Sequence, residues 1–514
     1  MNKTKIKKFS HFFIVEKPNS WVEKIIEPFC RSLIQKTFTI DRKVERGYRF
    51  TDGKLFASKI TDNIDSITQY RFHINLLDSF IKALNNSYYN NYEIEDIPLY
   101  EPRTIDLNVR EGWTPRDYQE PIIEYLTANT DYHSKLVGLR TGQGKTYISL
   151  EAIARLSKVS IILIKSVYVE KWAKDITEIL DINDEDYLII NSAVGLRKLI
   201  DYAILNEDLG GTKIVILTIN VFNNYINDYE ENNGNIEQLG YNCIPQDFFK
   251  LLKAGVIIID EAHQQFHMLY KIKLHLHIPL TISLTATLFS NDKTIEKMYK
   301  IVYPPEHRYR LKESENYINA FSMKYHFNNP RYIRYTPYGT NIYNHHVFEQ
   351  SVLKHQPTLN NYLNLIDYVA KFGYFRDYVK GDKLAIFASS IDMCTKITEY
   401  FKSNYKEYDV RRYCEKDPYE NIIDADIRVT TIGSGGTAVD IPDLRCVIQT
   451  INVDSIQSNI QTLGRLRKLP NRDVKFYYIW CGQIAKHNQY HLKRLETLAM
   501  YCKSIDKLSY PSLV

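Results

Sequence analysis

From residue 113 onward the apolar residues alternate between short unbroken runs and stretches where they recur every three or four positions. Val159–Ile164 (VSIILI), Lys213–Leu217 (KIVIL), Val256–Ile259 (VIII) and Thr281–Leu284 are runs of strand length. Between them Ile148, Ile153 and Leu156 share one helical side, and so do Val169, Trp172, Ile176 and Leu180. Unbroken apolar strands are buried on both faces, and strands alternating with amphipathic helices indicate a parallel sheet. The pattern resumes near Lys383, with strands at Leu384–Phe387, Ile427–Thr431, Cys446–Thr450 and Val474–Trp480. Helices are expected at Ile391–Phe401 and Ile456–Arg467, with His487–Cys502 closing the chain. The fold class is therefore α/β, with two parallel-sheet domains in tandem.

The segments outside this pattern differ in kind. Residues 1–105 read as a small α+β accessory domain. In it Trp21, Ile25, Phe29 and Leu33 form a helical stripe in Ser20–Lys36, which Pro28 should kink or divide. Arg42–Ser58 reads as a hairpin turning at Asp52-Gly53, and Ile74–Leu84 as a helix. Basic and aromatic residues interleave there (Arg46, Tyr48, Arg49, Phe50, Lys54). Such a pattern suits a surface that stacks bases, and equally the core of a half-buried hairpin. Tyr100–Gly112 is a polar linker, residues 113–300 the first α/β domain, 301–380 a linker leading into the second, and 381–514 the second domain with its closing helix.

Composition narrows the setting. The 514 residues carry a net charge of +5 and are 44% hydrophobic, enough for several cores and compatible with a polyanionic partner. The seven cysteines form no C-x-x-C pair, which points to a reducing compartment and away from structural zinc. The basic start MNKTKIKKFSHFFIVEK lacks the long apolar core of a signal peptide, and no run approaches the length of a membrane span. A soluble cytoplasmic protein with no membrane partner is expected. The 40 tyrosines, with abundant Lys, Asn and Ile, suggest an AT-rich genome.

Three stretches carry chemistry. In Leu136–Leu150 an apolar strand end is followed by Thr141-Gly142-Gln143-Gly144-Lys145-Thr146 and a helix. Backbone amides of such a glycine turn face inward, the helix N-terminus adds partial positive charge, and Lys145 adds a full one, which together cradle phosphates. Thr146 would offer its hydroxyl to Mg²⁺. The first glycine of G-x-x-x-x-G-K-[ST] is replaced by Leu139. The second stretch is Asp260-Glu261-Ala262-His263, directly after the apolar run VIII and 115 residues beyond Lys145. Asp260 suits a metal ligand, and Glu261 can orient and deprotonate an attacking water. The third, Gln461-Thr462-Leu463-Gly464-Arg465-Leu466-Arg467, could bring arginine charge to a phosphoryl transition state.

In this order the three motifs resemble those of superfamily 2 helicases of the DEAH-box type, over about residues 113–480. The resemblance implies two RecA-like domains, ATP and Mg²⁺ as cofactors, and a nucleic-acid partner. Trp113–Gln119 (WTPRDYQ) resembles the adenine-reading motif, implying Arg116 and Gln119 near the base. ILIKSVYVEKW resembles motif Ia with Lys165 replacing the usual proline; Ser166 carries over, as does Thr218 from motif Ib. LTATL resembles the coupling motif III, with Thr285 and Thr287. IFASS resembles motif IV, with Ser389. Thr430–Pro442 resembles motif V, with Thr431 and Asp440 in place and Ala438 where glycine is usual. Ser166, Thr218, Ser389 and Thr431 would contact the nucleic-acid backbone. His263, Gln461 and Arg465 would join Asp260 and Glu261 in the catalytic set. The family's second arginine falls on Lys468, with Arg467 one place early, and either could serve. Arg467 is favoured for its bidentate match to phosphate.

The layout is most similar to phage recombination helicases of the UvsW group, with type III restriction ATPases and XPB-like translocases sharing the motor pattern. This implies an ATP-driven DNA helicase or translocase acting on single-stranded or branched DNA in recombination, repair or replication. An RNA helicase is the alternative in kind, and a nucleic-acid-binding factor with a vestigial ATPase the alternative in class. Oligomeric state is open.

Overall fold

The computed structural model describes all residues except 1–2, 34–36, 41–47, 52–56, 62–67, 140–142, 263–265, 286–292, 310–315, 341, 416, 436–440, 455 and 471. Two compact units emerge, one of Met1–Leu139 and Gly144–Leu311, the other holding Gln143 together with Lys312–Val514.

The first unit holds a seven-stranded parallel sheet, ordered Tyr187–Ile190, Ile214–Thr218, Ser160–Ile164, Val256–Ile259, Leu280–Thr285, Ser134–Gly138 and Arg308–Tyr309. Ser160–Ile164, Ile214–Thr218 and Val256–Ile259 are buried at every position, because helices cover both faces. The phosphate-loop strand and the DEAH strand are not neighbours: the motif III strand Leu280–Thr285 lies between them. All run the same way, so their C-terminal ends gather the motif residues on one rim, where open α/β sheets bind ligands.

The N-terminal segment forms a five-stranded mixed sheet, ordered Ala57–Thr61, Thr68–His73, Phe12–Glu16, Thr4–Lys8 and Tyr92–Asp96. The expected hairpin of Arg42–Ser58 is not the pairing found. Tyr48–Thr51 pairs with Thr37–Ile40, while Ala57–Thr61 pairs with Thr68–His73 in another sheet. The turn dipeptide Asp52-Gly53 lies outside the described residues. Pro28 does not divide its helix, which runs unbroken from Ser20 to Leu33. Asn19 sets its start, accepting from the amides of Trp21 (3.1 Å) and Val22 (3.0 Å).

This sheet is fastened to the first large one. Ser10 N–H donates to His277 Nδ1 (3.3 Å), Ile278 N–H donates to Ser10 Oγ (3.0 Å), and buried Arg71 reaches Gln246 Oε1 (2.9 Å). The polar stretch from Tyr100 to Gly112 is likewise strapped down. Its amides at Arg103, Ile105 and Arg110 donate to the carbonyls of Lys253, Ser157 and Ile179.

The second unit holds another seven-stranded parallel sheet, ordered Val410–Tyr413, Ile427–Thr431, Lys383–Ala388, Leu444–Gln449, Val474–Cys481, Ile318–Tyr325 and Cys502–Ser509. Three strands fall where none was expected, among them Val410–Tyr413 at one edge of the sheet. Ile318–Tyr325 lies in the stretch read as a linker, and Cys502–Ser509 follows the helix Ala485–Tyr501 read as the closing element. The supposed linker also carries the helices His345–Lys354 and Gln356–Gly373.

Candidate active site

Strand Ser134–Gly138 leads through the glycine loop into helix Lys145–Leu156, whose N-cap is Gly144. Gly144 has φ +73°, a left-handed conformation that glycine adopts without penalty. A second reason for glycine comes from another motif. A Cβ at this position would sit 2.4 Å from Gln119 Nε2. Gln119 is buried, and its Oε1 accepts from Arg116 N–H (2.9 Å), so the amide is aimed at the loop. The exposed Arg116 side chain rests on Tyr118 (3.4 Å). Trp113 stacks on Tyr147 of the loop helix, with centroids 5.7 Å apart.

Leu139 explains the missing first glycine. Its N–H donates to Thr285 O (2.8 Å) and its side chain is fully buried. The chain is still part of the sheet there, and the turn has not begun.

Lys145 Nζ donates to Glu261 Oε1 in a nearly buried ion pair across 116 residues of sequence. Glu261 has φ +50°, a strained value for a residue with a side chain. Asp260 is held on both oxygens: Oδ1 accepts from Glu261 N–H (2.8 Å) and Oδ2 from Trp172 Nε1 (3.1 Å). Burial pushes the Asp260 carboxyl above its usual range, the neighbouring Glu261 charge adds to this, and Lys145 opposes it. Trp172 is fully buried on helix Val169–Ile179. One turn on, burial raises the Asp175 carboxyl against the opposing pull of Lys171 and of the Thr146 hydroxyl. That helix therefore braces both carboxylate and hydroxyl sides of the site. Neither Trp172 nor Asp175 was picked out from sequence, although Trp172 ends the motif Ia stretch. Lys165 is half-buried; burial lowers its pKa while the Glu261 charge raises it, which puts this second cation within reach of the same carboxylate field.

The donor set fits a nucleotide polyphosphate with a divalent cation. It comprises a helix N-terminus, Lys145, the half-buried Thr146 and a half-buried carboxylate already oriented by two N–H groups. Gln143 is half-buried, whereas Thr141, Gly142 and His263 lie outside the described residues. Thr285 is buried at the end of the motif III strand, and Thr287 lies outside the described residues.

The remaining motif residues are placed as follows. Ser166 is exposed. Thr218 is fully inside, its hydroxyl buried without a hydrogen-bond partner, and it does not face solvent. Ser389 N–H donates to Glu349 Oε1 (2.8 Å). Ser390 donates to the other Glu349 oxygen through N–H and Oγ, both at 2.7 Å. Fully buried Glu349 thus pins the motif IV loop, a role with no signal in the sequence. Thr431 Oγ1 accepts from Ser434 N–H (3.2 Å) at the start of the short helix Ile432–Gly435, and Asp440 lies outside the described residues.

The arginine motif departs from the expected helix Ile456–Arg467. The helix ends at Leu463, and Gly464 N–H closes it on Ile460 O (2.8 Å). Arg465 is buried, Arg467 is half-buried with Nη1 donating to Gly464 O, and Lys468 is exposed. Helical face rules do not govern the two-residue spacing of these arginines, since both lie beyond the helix. The side chain of Gln461 lies outside the described residues.

Residues 113–290 match the family described as Type III restriction enzyme, res subunit. The match spans the adenine-motif segment, the phosphate loop, the Lys145–Glu261 pair and the motif III strand. The chain carries this match over its first α/β domain. It is 21% identical over 460 residues to the general transcription and DNA repair factor IIH helicase/translocase subunit XPB of Enterocytozoon bieneusi, covering 85% of this chain and 70% of the relative. The XPB subunit of Schizosaccharomyces pombe is 21% identical over 488 residues, covering 90% and 56%. XPB2 of Arabidopsis thaliana is 22% identical, covering 70% and 44%. The chain thus spans only about half the length of several of these relatives. Among solved structures, S. cerevisiae Dbp5 bound to RNA and ADP BeF3 superposes at a TM-score of 0.48 and 12% identity, over 77% of this chain and 90% of that one. Among the described residues no helix is long and apolar enough to cross a membrane.

Proposed function

We propose that this chain is an ATP-dependent DNA helicase or translocase of superfamily 2 that remodels single-stranded or branched DNA in recombination, repair or replication. The observation that carries the reading is the contact of Lys145 with Glu261 beside a doubly held Asp260. A phosphate-binding cation, a water-activating carboxylate and a metal-holding carboxylate meet on one rim. The preference for DNA is supported by the DNA-repair subunits among the relatives. The DEAH-box assignment and a phage origin rest on the sequence motifs and composition alone.

In this reading Lys145 and the Gly144–Lys145 amides hold the phosphates, Thr146 and Asp260 hold Mg²⁺, and Glu261 takes a proton from the attacking water. Bound Mg²⁺ supplies charge neutralisation to the departing phosphate. Arg465, with Arg467, adds positive charge to the transition state. Ser166, Ser389 and Thr431 hold a nucleic-acid backbone, and backbone contacts give little sequence preference and strong salt dependence. Thr218 contributes only after a local rearrangement exposes it.

Steady-state ATPase assays with Mg²⁺, alone and with single-stranded DNA, branched DNA or RNA, test the proposal. Stimulation by DNA and not RNA is expected. Stimulation by RNA alone would make the chain an RNA motor, and no turnover with any of them would leave a binding factor with a vestigial ATPase.

A further inference from the structure

A cavity of about 160 Å³ lies where the N-terminal sheet meets the first large sheet, opposite the nucleotide rim. Its wall takes Ser10 and His73 from the N-terminal sheet side, and Tyr132, His133, Ser134 and His307 from the motor side. Neither the motif set nor the family match assigns it a role. It is too small for a nucleoside, since ligand pockets begin at about 300 Å³, yet holds several waters or one small ion.

The wall presents donors with nothing to receive them. His73 is 1% exposed; its Nδ1 accepts from Asn75 N–H (3.3 Å), so the neutral ring carries its proton on Nε2. That Nε2 is buried without a hydrogen-bond partner. His307 is 7% exposed, stacks on Tyr132 (4.2 Å), and has a buried Nδ1 that is likewise unpartnered. Behind the wall sits Lys273, fully buried. Its ammonium donates to the hydroxyls of Ser134 (3.0 Å) and Thr281 (2.9 Å) and faces the Tyr303 ring (5.2 Å), with no carboxylate against it among the described residues. A buried cation held only by neutral oxygens is expensive, and an adjacent anion would relieve it. Among the described residues no group of three or more His, Cys, Asp or Glu side chains is arranged to hold a metal ion.

We propose that this cavity binds one small inorganic oxoanion, phosphate or sulfate in size, and that the bound anion ties the N-terminal sheet to the first motor sheet. His73 and His307 would donate to its oxygens, and Lys273, acting through Ser134, would supply the balancing charge. The charge pattern is consistent. Burial brings Lys273 down to about 7, and His11, His73 and His307 are lowered, first by burial and then by the Lys273 charge or, for His307, after the opposing pull of Glu306. The other charged groups on the wall are Lys8, paired with Asp96 (2.7 Å), and the exposed Asp131. An anion favours the protonated forms of Lys273 and the histidines, so binding should tighten as pH falls through neutrality.

The test uses the full chain carrying Lys145→Ala, which removes the phosphate loop as a competing site. Thermal unfolding is followed while inorganic phosphate replaces chloride at constant ionic strength, at about pH 6.5 and about pH 8.5, on either side of the Lys273 transition. A saturable rise of a few degrees is expected, with at least ~3-fold tighter apparent affinity at the lower pH and loss of the rise in His73→Leu/His307→Leu, which removes both donors. A rise that persists in the double variant, that tracks ionic strength alone, or that is absent at both pH values overturns the proposal. Should the double variant not fold, calorimetric titration of phosphate into Lys145→Ala decides, and absence of heat at both pH values overturns it.

Discussion

Lys145 Nζ donates to Glu261 Oε1, so the cation proposed to bind phosphate and the carboxylate proposed to activate water neutralise each other. Charge-assisted contacts of this kind are among the stronger hydrogen bonds. In the proposed function, a polyphosphate would exchange this partner for its own oxygens and leave Glu261 free for water. The two residues are therefore expected to fail differently. Lys145→Ala should abolish nucleotide binding, whereas Glu261→Gln should retain it and lower turnover ~10²-fold or more. Nucleotide binding measured by fluorescence titration, alongside steady-state hydrolysis, separates the two; undiminished hydrolysis in Glu261→Gln would remove that residue from the proposed role.

Trp172 donates its indole N–H to Asp260, and phenylalanine keeps most of the packing while losing that donor. Trp172→Phe is expected to cost about 1–3 kcal/mol of stability and to lower turnover about tenfold. The Mg²⁺ concentration needed for half-maximal rate should rise, because Asp260 is then oriented by one N–H only. An unchanged Mg²⁺ dependence would reduce Trp172 to a packing residue.

Gly144 and Gln119 form a testable pair. Gly144→Ala adds a Cβ 2.4 Å from Gln119 Nε2 at φ +73°. Together these should destabilise the chain by about 1–2 kcal/mol and weaken nucleotide binding. Gln119→Ala removes the clash but not the backbone strain, so the double variant should recover part of the stability loss. A double-mutant cycle read by denaturant unfolding gives the coupling directly.

Because the helix stops at Leu463, Arg467 and exposed Lys468 can be compared without a helical argument. Arg465→Ala and Arg467→Ala should each lower turnover, Arg465→Ala by ~10³-fold, with little change in KM for ATP. Lys468→Ala should leave it nearly unchanged. The reverse ranking of Arg467 and Lys468 would make the lysine the second finger.

Acid should loosen the junction between the N-terminal and first motor sheets. Burial depresses His275 to about 4 and His307 to about 4. Between that value and the unfolded-state value of about 6.5, the unfolded chain binds protons the folded chain does not, so stability falls as pH falls through this window. Fully buried His275 should cost on the order of 2 kcal/mol at about pH 5, and partly screened His307 less. Unfolding midpoints across pH 7 to about 4.5 check the sign, and His275→Gln should flatten the curve.

Amino-acid order alone determined the α/β class and the central strands of both large sheets, and it supplied the candidate phosphate-loop and Asp260–Glu261 residues. Those features are local: a strand buried on both faces must be an apolar run, and a phosphate loop needs its glycines and lysine consecutively. Tertiary structure decided the rest. Ile318–Tyr325 and Cys502–Ser509 read poorly because they lie at and beside a sheet edge, where partial exposure dilutes the apolar run. Thr37–Ile40, and not Ala57–Thr61, became the partner of Tyr48–Thr51 although a strong turn dipeptide favoured the nearer strand. The side chains that aim the site, Trp172 at Asp260 and Glu349 at Ser389–Ser390, are 88 and about 40 residues from their partners. No periodicity records such contacts. They exist because parallel strands deliver distant residues to one rim, and only the folded sheet sets which of them meet.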